Sequence, residues 1–273
     1  RSLTGAKEPA EKADPLFVHA DIRRMLMEAK AYTEGMRAFC LWGGFQSDLA
    51  HNAATPEERQ AADDLLSLLM PVIKGYGTDK GYEVCTNMQQ VFGGHGYVEE
   101  WGMSQRVRDA RIAQIYEGAN GIQALDLVGR KLPSNGGRAI QAFFAMVASE
   151  AAAAKANPAL EKIASALEAA LGDLQASTMW LMANGMKNPD NAGAASMPYM
   201  HLTGVVALGL MWLRLADAAQ KALDAGSDDA DFMNAKLVTA RFYAERMMPD
   251  TISLRRKLEA GCEAIMALPA DAF

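Results

Sequence analysis

The sequence predicts an all-α protein, with an up-and-down helical bundle followed by a second helical bundle. Half of the 273 residues are hydrophobic, but only 7% are aromatic, a balance typical of helical proteins with aliphatic cores. Apolar residues recur at steps of three and four residues over long stretches, which is the spacing of one helix face. No segment shows the strict apolar–polar alternation of a half-buried strand.

The chain begins with a predicted loop and one long helix. Residues 1–14 are charged and have no periodicity, so we predict a loop there. The first helix is predicted to open at Asp14-Pro15 and to end near Ala50. Residues at steps of three and four mark its pattern, namely Ile22, Met25, Leu26, Ala29, Tyr32, Met36, Phe39 and Cys40.

A second long helix is predicted from Pro56 to Val91. Thr55 is a favourable N-cap, and Glu58 stands where a capping box needs an acid. The predicted buried face carries Leu65, Leu66, Leu69, Val72, Ile73 and Tyr76. Three residues are expected to kink this helix or to weaken it locally, namely Pro71, Gly75 and Gly77.

Glycines and a connector follow the second helix. The run 93–96, Gly-Gly-His-Gly, ends that helix. Residues 97–117 are predicted to connect, with a short helix near 105–115. A third helix is predicted over about 118–131, where apolar residues return at helical spacing.

The stretch 132–137, Leu-Pro-Ser-Asn-Gly-Gly, is the best candidate for a domain boundary. We therefore expect one helical domain over residues 1–133 and a helical extension over residues 134–273. Four helices are predicted in the extension, at about 137–156, 158–188, 197–225 and 229–266. The loops between them are predicted at 157–158, 188–191 and 226–229.

Composition excludes several classes of function. The net charge of −6 mixes both signs without a basic patch, so we expect no nucleic-acid partner. Three distant cysteines match no zinc spacing and favour a reducing cytoplasm. No apolar run reaches about 18 residues, so no membrane span is expected. The chain opens on Arg1 without an initiator methionine, and we expect it to be a fragment of a longer polypeptide.

Glu117 is the first candidate functional residue. It lies in Ile115-Tyr116-Glu117-Gly118, just before a predicted helix. A solvated glutamate at a helix start is one interpretation, because acids suit the first turn. The other is a general base in an apolar pocket, where burial raises the pKa and the helix N-terminus lowers it.

Other motifs are weaker. Gly93-Gly94-His95-Gly96 allows a ligand to approach the backbone, but taken alone it is also a helix stop. It lacks both the phosphate-binding Gly-x-x-x-x-Gly-Lys pattern and the strand that precedes a Rossmann glycine motif. No Glu-x-x-His pair or Gly-x-Ser-x-Gly occurs, which disfavours a di-iron bundle and a serine hydrolase. We predict no metal site.

Three motifs in order resemble the C-terminal helical domain of the acyl-CoA dehydrogenase family. They are Gln90-Val91-Phe92-Gly93-Gly94-His95-Gly96-Tyr97, Arg108-Asp109-Ala110-Arg111-Ile112 and Ile115-Tyr116-Glu117-Gly118-Ala119. The resemblance covers about residues 1–132. It implies an FAD-dependent enzyme that removes hydrogen from the α and β carbons of an acyl-CoA, with electron-transfer flavoprotein as its electron acceptor.

The resemblance assigns roles to individual residues. It implies that Glu117 removes the α-proton while the β-hydrogen leaves as hydride to FAD. Tyr116 and Gly118 are implied to contact the substrate. The residues implied to contact FAD, some from a neighbouring subunit, are Arg1, Gln90, Val91, Phe92, Gly93, Gly94, Ala119, Asn120 and Gly121.

This sequence departs from the family pattern in two respects. Ala119 stands where the family usually has Thr, so one hydrogen bond near the flavin, worth about 1 kcal/mol, is expected to be lost. The family's N-terminal helical domain, its middle β-domain and the first helix of the bundle are absent from the chain. We therefore expect these 273 residues alone to be inactive and to hold FAD poorly.

Residues 134–273 resemble the extension of a subset of long family members, which includes bacterial enzymes. We expect this extension to pack on the dehydrogenase part of a homodimer or homotetramer in the bacterial cytoplasm. Two alternatives stay open: an acyl-CoA oxidase that passes electrons to oxygen, and a non-catalytic helical oligomerisation module.

Overall fold

The computed structural model describes residues 1–273 and confirms the all-α prediction, since every regular element is a helix. The helices in chain order are α1 (Ala20–Asn52), α2 (Pro56–Val91), α3 (Gly94–Tyr97), α4 (Met103–Ile115), α5 (Asn120–Asp126), α6 (Arg138–Ala154), α7 (Glu161–Asn184), α8 (Pro189–Asp224), α9 (Ala230–Arg246), α10 (Asp250–Glu259) and α11 (Glu263–Met266).

Helix α2 has the predicted bounds and the predicted cap. Thr55 Oγ1 accepts from the Glu58 backbone N–H at 3.2 Å, and the Thr55 N–H donates to Glu58 Oε2 at 3.0 Å. The helix continues through Pro71 without interruption. Gly75 serves close packing, because a Cβ there would lie 2.4 Å from the sulfur of Met200 in α8.

The N-terminal loop extends further than predicted, and Asp14 has a different role from a helix start. A short 3-10 turn over Leu16–Val18 precedes α1. The Asp14 carboxylate accepts the backbone N–H groups of Glu8, Ser2 and Lys7. These hydrogen bonds hold the pKa of Asp14 well below its ordinary value. A carboxylate therefore organises this loop.

The prediction of one continuous helix over residues 118–131 is wrong. Gly118 has a φ of 78°, so it lies outside the helix, and α5 begins at Asn120. The chain then widens into a π-helical turn over Leu127–Lys131, where the Leu132 N–H donates to the Leu127 carbonyl at 2.8 Å. Single π turns of this kind are often found near functional sites.

Two predictions for the extension are wrong. Residues 188–191 are not a loop, because the Asn188 side chain caps α8 and Pro189 occupies its first position. The predicted helix 229–266 is divided after Arg246 and resumes at Asp250. Pro249 has no N–H to continue the hydrogen bonds of a helix, which explains the break.

Helix α8 is the centre of the molecule. A single cluster of 44 buried hydrophobic residues includes side chains from both halves of the sequence. Trp212 Nε1 donates to the Ala31 carbonyl at 3.1 Å, and the Tyr76 ring packs on Gly204 where a Cβ would clash at 2.4 Å. The core is thus continuous across the predicted boundary at residues 133/134. The division into two domains stays a prediction.

Helix α8 is also long and apolar enough to cross a membrane by length and composition. However, 78% of its most apolar window is buried inside the protein. Its apolar character is accounted for by core packing.

Candidate active site around Glu117

Glu117 lies at the centre of a tight turn between α4 and α5. Its φ is 47°, and Gly118 follows with a φ of 78°. Positive φ is uncommon for a residue with a side chain, and it costs on the order of 1 kcal/mol or more unless the surroundings impose it. Side chains of α2 impose this conformation, as their contacts with the turn show.

Asp79 of α2 holds both sides of the turn. Its Oδ1 accepts from Gln114 Nε2 at 2.7 Å and from Asn120 Nδ2 at 2.7 Å. Gln114 stands three residues before Glu117, and Asn120 stands three residues after it. One carboxylate oxygen thus fixes the end of α4 and the start of α5 relative to α2.

Lys74 of α2 holds the turn itself. Its Nζ donates to the Gly118 carbonyl at 2.9 Å and to Asn120 Oδ1 at 2.8 Å. The Asn120 side chain is buried, and its amide also donates to the Gly75 carbonyl at 3.0 Å. The polar groups of Asn120 therefore organise the turn from inside the protein.

A histidine from the extension completes this arrangement. His201 of α8 donates through Nε2 to Asp79 Oδ2 at 2.8 Å, because an ionised carboxylate can only accept. Burial raises the pKa of Asp79, but hydrogen bonds from His201, Gln114 and Asn120 outweigh it and lower that pKa. Asp79 is therefore an anion near neutral pH.

The Glu117 side chain is exposed. This agrees with the interpretation of a solvated glutamate, and the chain by itself does not enclose the side chain in an apolar pocket. Its neighbours Ile115 and Tyr116 are each 52% exposed. Glu117 does not line any of four grooves of about 380 to 580 Å³ that lie elsewhere on the chain. Several large apolar side chains are exposed in the same part of the chain, namely Ile112, Ile115, Tyr116, Ile122 and Leu125.

The glycine loop predicted to contact FAD lies at the C-terminal end of α2, whereas the Glu117 turn contacts the middle of that helix. From Lys74, which contacts the Glu117 turn, to Val91, where α2 ends, the helix rises roughly 25 Å. Helix α4 carries the chain back along α2 from that end. The structure therefore does not bring residues 90–94 together with Glu117 in one subunit.

The glycine loop itself is open. Gly93 has φ 61° and ψ −145°, a conformation available essentially to glycine alone. Nothing lies within 4 Å of a Cβ placed on Gly93 or Gly94. An apolar groove of about 380 Å³ adjoins the loop and is lined by Leu16, Val91, Phe92, His95 and Trp101.

Some of the remaining residues predicted to contact FAD already have side-chain hydrogen bonds within the chain, and others have none. The Arg1 side chain donates to the carbonyls of Glu8 and Glu11 and pairs with Asp14, all within its own loop. Ala119 is the N-cap of α5 without a side-chain hydrogen bond, and nothing lies within 4 Å of a Cβ placed on Gly121. A flavin contact by each of these residues stays a prediction.

Four residues of this site carry no signal in the sequence, namely Lys74, Asp79, Gln114 and His201. Their contacts join positions 35 to 122 residues apart, so no local spacing shows them. A groove of about 580 Å³ is lined by Glu150, Arg214 and neighbouring residues of α6 and α8 and contains no predicted site residue.

Comparisons with known proteins agree with the motifs. The family described as "Acyl-CoA dehydrogenase, C-terminal domain" matches residues 1–132, and the one described as "Acetyl-CoA dehydrogenase C-terminal like" matches residues 139–269. The 3-methylmercaptopropionyl-CoA dehydrogenase of Ruegeria pomeroyi is 39% identical over 88% of this chain and 40% of its own length.

A second relative and a solved structure extend the comparison. The broad-specificity linear acyl-CoA dehydrogenase of Mycobacterium tuberculosis is 32% identical over 93% of this chain and 43% of its own length. Caenorhabditis elegans ACDH-11 in complex with C11-CoA has a similar fold, with a TM-score of 0.66 at 19% identity over 86% of this chain and 38% of that chain.

The chain spans less than half the length of these relatives. The two family matches together account for nearly all of it, and the fold that it shares with the solved structure is helical. The chain therefore belongs to the acyl-CoA dehydrogenase family and corresponds to its C-terminal helical part.

Proposed function

We propose that the chain is the C-terminal part of an FAD-dependent enzyme that converts an acyl-CoA thioester to the 2-enoyl-CoA. Glu117 is the base that removes the proton from the carbon next to the thioester carbonyl. The observation that carries the proposal is the left-handed turn at Glu117, which Lys74 and Asp79 hold in place from α2. The strain is thus imposed by specific polar contacts.

The exposed surface around Glu117 fits a site completed by other parts of an enzyme. Tyr116 and Ile115 flank the carboxylate with apolar surface, which suits an acyl chain. Closing such a surface against a second wall would exclude water from the Glu117 carboxylate. Gly118 and Tyr116 are the proposed substrate contacts, and the Glu117 N–H is the proposed donor to the thioester carbonyl.

The residues of the glycine loop fit a bound FAD. The loop is exposed, and no atom obstructs the space above Gly93 and Gly94. We propose that Gln90, Val91, Phe92, Gly93 and Gly94 hold one part of FAD. A bound FAD supplies the acceptor for the hydride that leaves the β-carbon.

The turn offers a second set of proposed FAD contacts. Ala119 and Gly121 lie at the start of α5, and neither has a large side chain that would obstruct a ligand. The Asn120 side chain points into the protein, so its proposed contact is through its backbone. Arg1 is kept as a proposed contact that requires release from Asp14.

The separation of the two sets along α2 supports a homo-oligomer. Because about 25 Å of helix lies between them, we propose that Glu117 of one subunit and the glycine loop of a neighbour serve one flavin. The extension packs against α2 and α5. We propose that it replaces one subunit–subunit contact of a homotetramer, so that the enzyme is a homodimer. Gel filtration of the flavin-loaded enzyme distinguishes the two.

Electron-transfer flavoprotein is the proposed acceptor, and the bacterial cytoplasm is the proposed location. The location is favoured by three unpaired cysteines and by the bacterial sources of two relatives. An acyl-CoA oxidase and a non-catalytic helical module are the alternatives.

Flavin spectroscopy distinguishes the three possibilities. A short acyl-CoA is added without oxygen to the flavin-loaded protein that contains this chain, and the flavin absorbance is followed. In a dehydrogenase the flavin is bleached by the acyl-CoA and is then reoxidised by electron-transfer flavoprotein. In air a dehydrogenase forms little peroxide. Rapid peroxide formation in air identifies an oxidase, whereas a protein that binds no flavin or shows no bleaching with any acyl-CoA refutes the proposal.

A further inference from the structure

We propose that His201, which belongs to the C-terminal extension, is a positioning residue for Glu117 and acts through Asp79. The extension then does more than cover the first bundle, since it sets the geometry of the turn that carries the base. This inference rests on the proposed function for its catalytic meaning. Its structural part is tested independently of activity.

The first step is the hold of His201 on Asp79. The His201 side chain is 22% exposed, and its Nε2 lies 2.8 Å from Asp79 Oδ2. Its ring meets the fully buried Tyr76 ring edge to face at 5.3 Å. Tyr76 in turn packs on Gly204 of the same helix. The imidazole is therefore oriented by Tyr76 of α2, a core side chain that itself packs on α8.

The second step is the division of the Asp79 carboxylate. Oδ2 is used by His201, which leaves Oδ1 for Gln114 and Asn120 at 2.7 Å each. Without His201, Oδ2 loses a partner in a half-buried site, and the carboxylate can rotate towards other donors. Rotation of Asp79 would weaken the grip on both sides of the turn together.

The third step runs from Asn120 to the turn. Lys74 Nζ bridges Asn120 Oδ1 and the Gly118 carbonyl at 2.8 and 2.9 Å. A shift of Asn120 therefore moves the donor that fixes the carbonyl of Gly118, the residue directly after Glu117. The polar chain from α8 to the base is continuous, with every link at 2.9 Å or less.

The competing interpretation is that His201 only ties two helix layers together. Lys236 provides a matched control for it. Lys236 of α9 pairs with Glu34 of α1 at 2.7 Å, and this part-buried contact also joins the extension to the first half of the chain. It has no contact with the Glu117 turn.

Amide hydrogen exchange of the chain tests the inference. We compare His201→Leu, His201→Gln and Lys236→Met at temperatures equally far below their melting points. His201→Leu is expected to speed exchange of the α5 amides, including Ile122 and Gln123, by about tenfold or more. His201→Gln restores the slow rate because its amide can donate to Asp79, and Lys236→Met leaves the rate unchanged.

Two results would overturn the inference. One is unchanged α5 exchange in His201→Leu, and the other is an equal rise in Lys236→Met. If His201→Leu does not fold, Asp79→Asn replaces it with the same expectation, and slow α5 exchange in that variant overturns the inference equally. In the flavin-loaded enzyme, a lower kcat with little change in KM is expected for His201→Leu, with rescue by His201→Gln. Full activity of a Glu117 variant would instead refute the proposed function and leave the exchange result standing.

Discussion

Lys74 Nζ lies 2.9 Å from the carbonyl oxygen of Gly118, the residue directly after Glu117. The two residues are 44 positions apart, and the bond fixes a loop peptide to the middle of the longest helix of the first half. Without such a contact, a glutamate with positive φ would relax towards an ordinary conformation. The conformation of Glu117 is therefore a property of α2 as much as of the turn.

Replacing Lys74 tests this dependence. Lys74→Met is expected to lower the free energy of unfolding by about 1.5–3 kcal/mol, because two charge-assisted hydrogen bonds are lost and their acceptors are left partly buried. Chemical denaturation of the chain measures the change. Lys30→Met is the control, since it breaks only a surface pair with Glu34 on α1 and should cost less than about 1 kcal/mol. Equal losses in the two variants would contradict the role given to Lys74.

Strain at Glu117 leads to a second prediction. Glu117→Gly is expected to raise the free energy of unfolding by on the order of 1 kcal/mol, because glycine adopts positive φ without a steric penalty. Glu117→Ala keeps a Cβ and should show no gain. Thermal denaturation of the three proteins decides the matter, and a Gly variant no more stable than the Ala variant would show that the turn is unstrained.

The cap of α5 leads to a third prediction. Ala119 occupies the N-cap with a φ of −47° and a ψ of 154°. Its side chain has no oxygen that could accept a backbone N–H of the first turn. Ala119→Thr should therefore add a hydrogen bond to the start of α5 and raise stability by about 1 kcal/mol. Ala119→Val has the same shape without the hydroxyl and serves as the control. An equal gain in both variants would assign the effect to packing instead of capping.

The lowered pKa of Asp79 leads to a fourth prediction. Hydrogen bonds from His201, Gln114 and Asn120 favour the charged form in the folded chain against the effect of burial. The stabilisation is therefore complete above the unfolded pKa of about 3.9 and is lost as pH falls through the lower folded pKa. The stability gap between the parent and Asp79→Asn should shrink below about pH 4. A gap that stays constant from pH 7 to pH 3 would contradict the charge assigned to Asp79.

The sequence predicted local features well and distant ones poorly. The bounds of α2 were correct because Thr55 and Pro56 form a local capping signal. Asn188-Pro189 carries a similar capping signal and starts α8, so the prediction of a loop there is wrong. The division before Asp250 was missed although Pro249 marks it.

The site shows the same contrast. Glu117 and Gly118 could be identified because their motif is continuous in sequence. The sequence left the exposure of Glu117 open, because a helix start suits a solvated acid whereas apolar neighbours such as Ile115 suggest burial. In this chain those neighbours are exposed. Asp79 and His201 are 122 positions apart, and only the packing of α8 on α2 brings them together.

The turnover of Glu117→Gln in the flavin-loaded dehydrogenase that contains this chain tests the central claim most directly. Glutamine keeps the size of the side chain and removes its basicity, so folding and flavin content should match the parent. The account predicts a fall in kcat of at least about 10²- to 10⁴-fold, as is typical for the loss of a general base. Activity within a few-fold of the parent would contradict the assignment of Glu117 as the base.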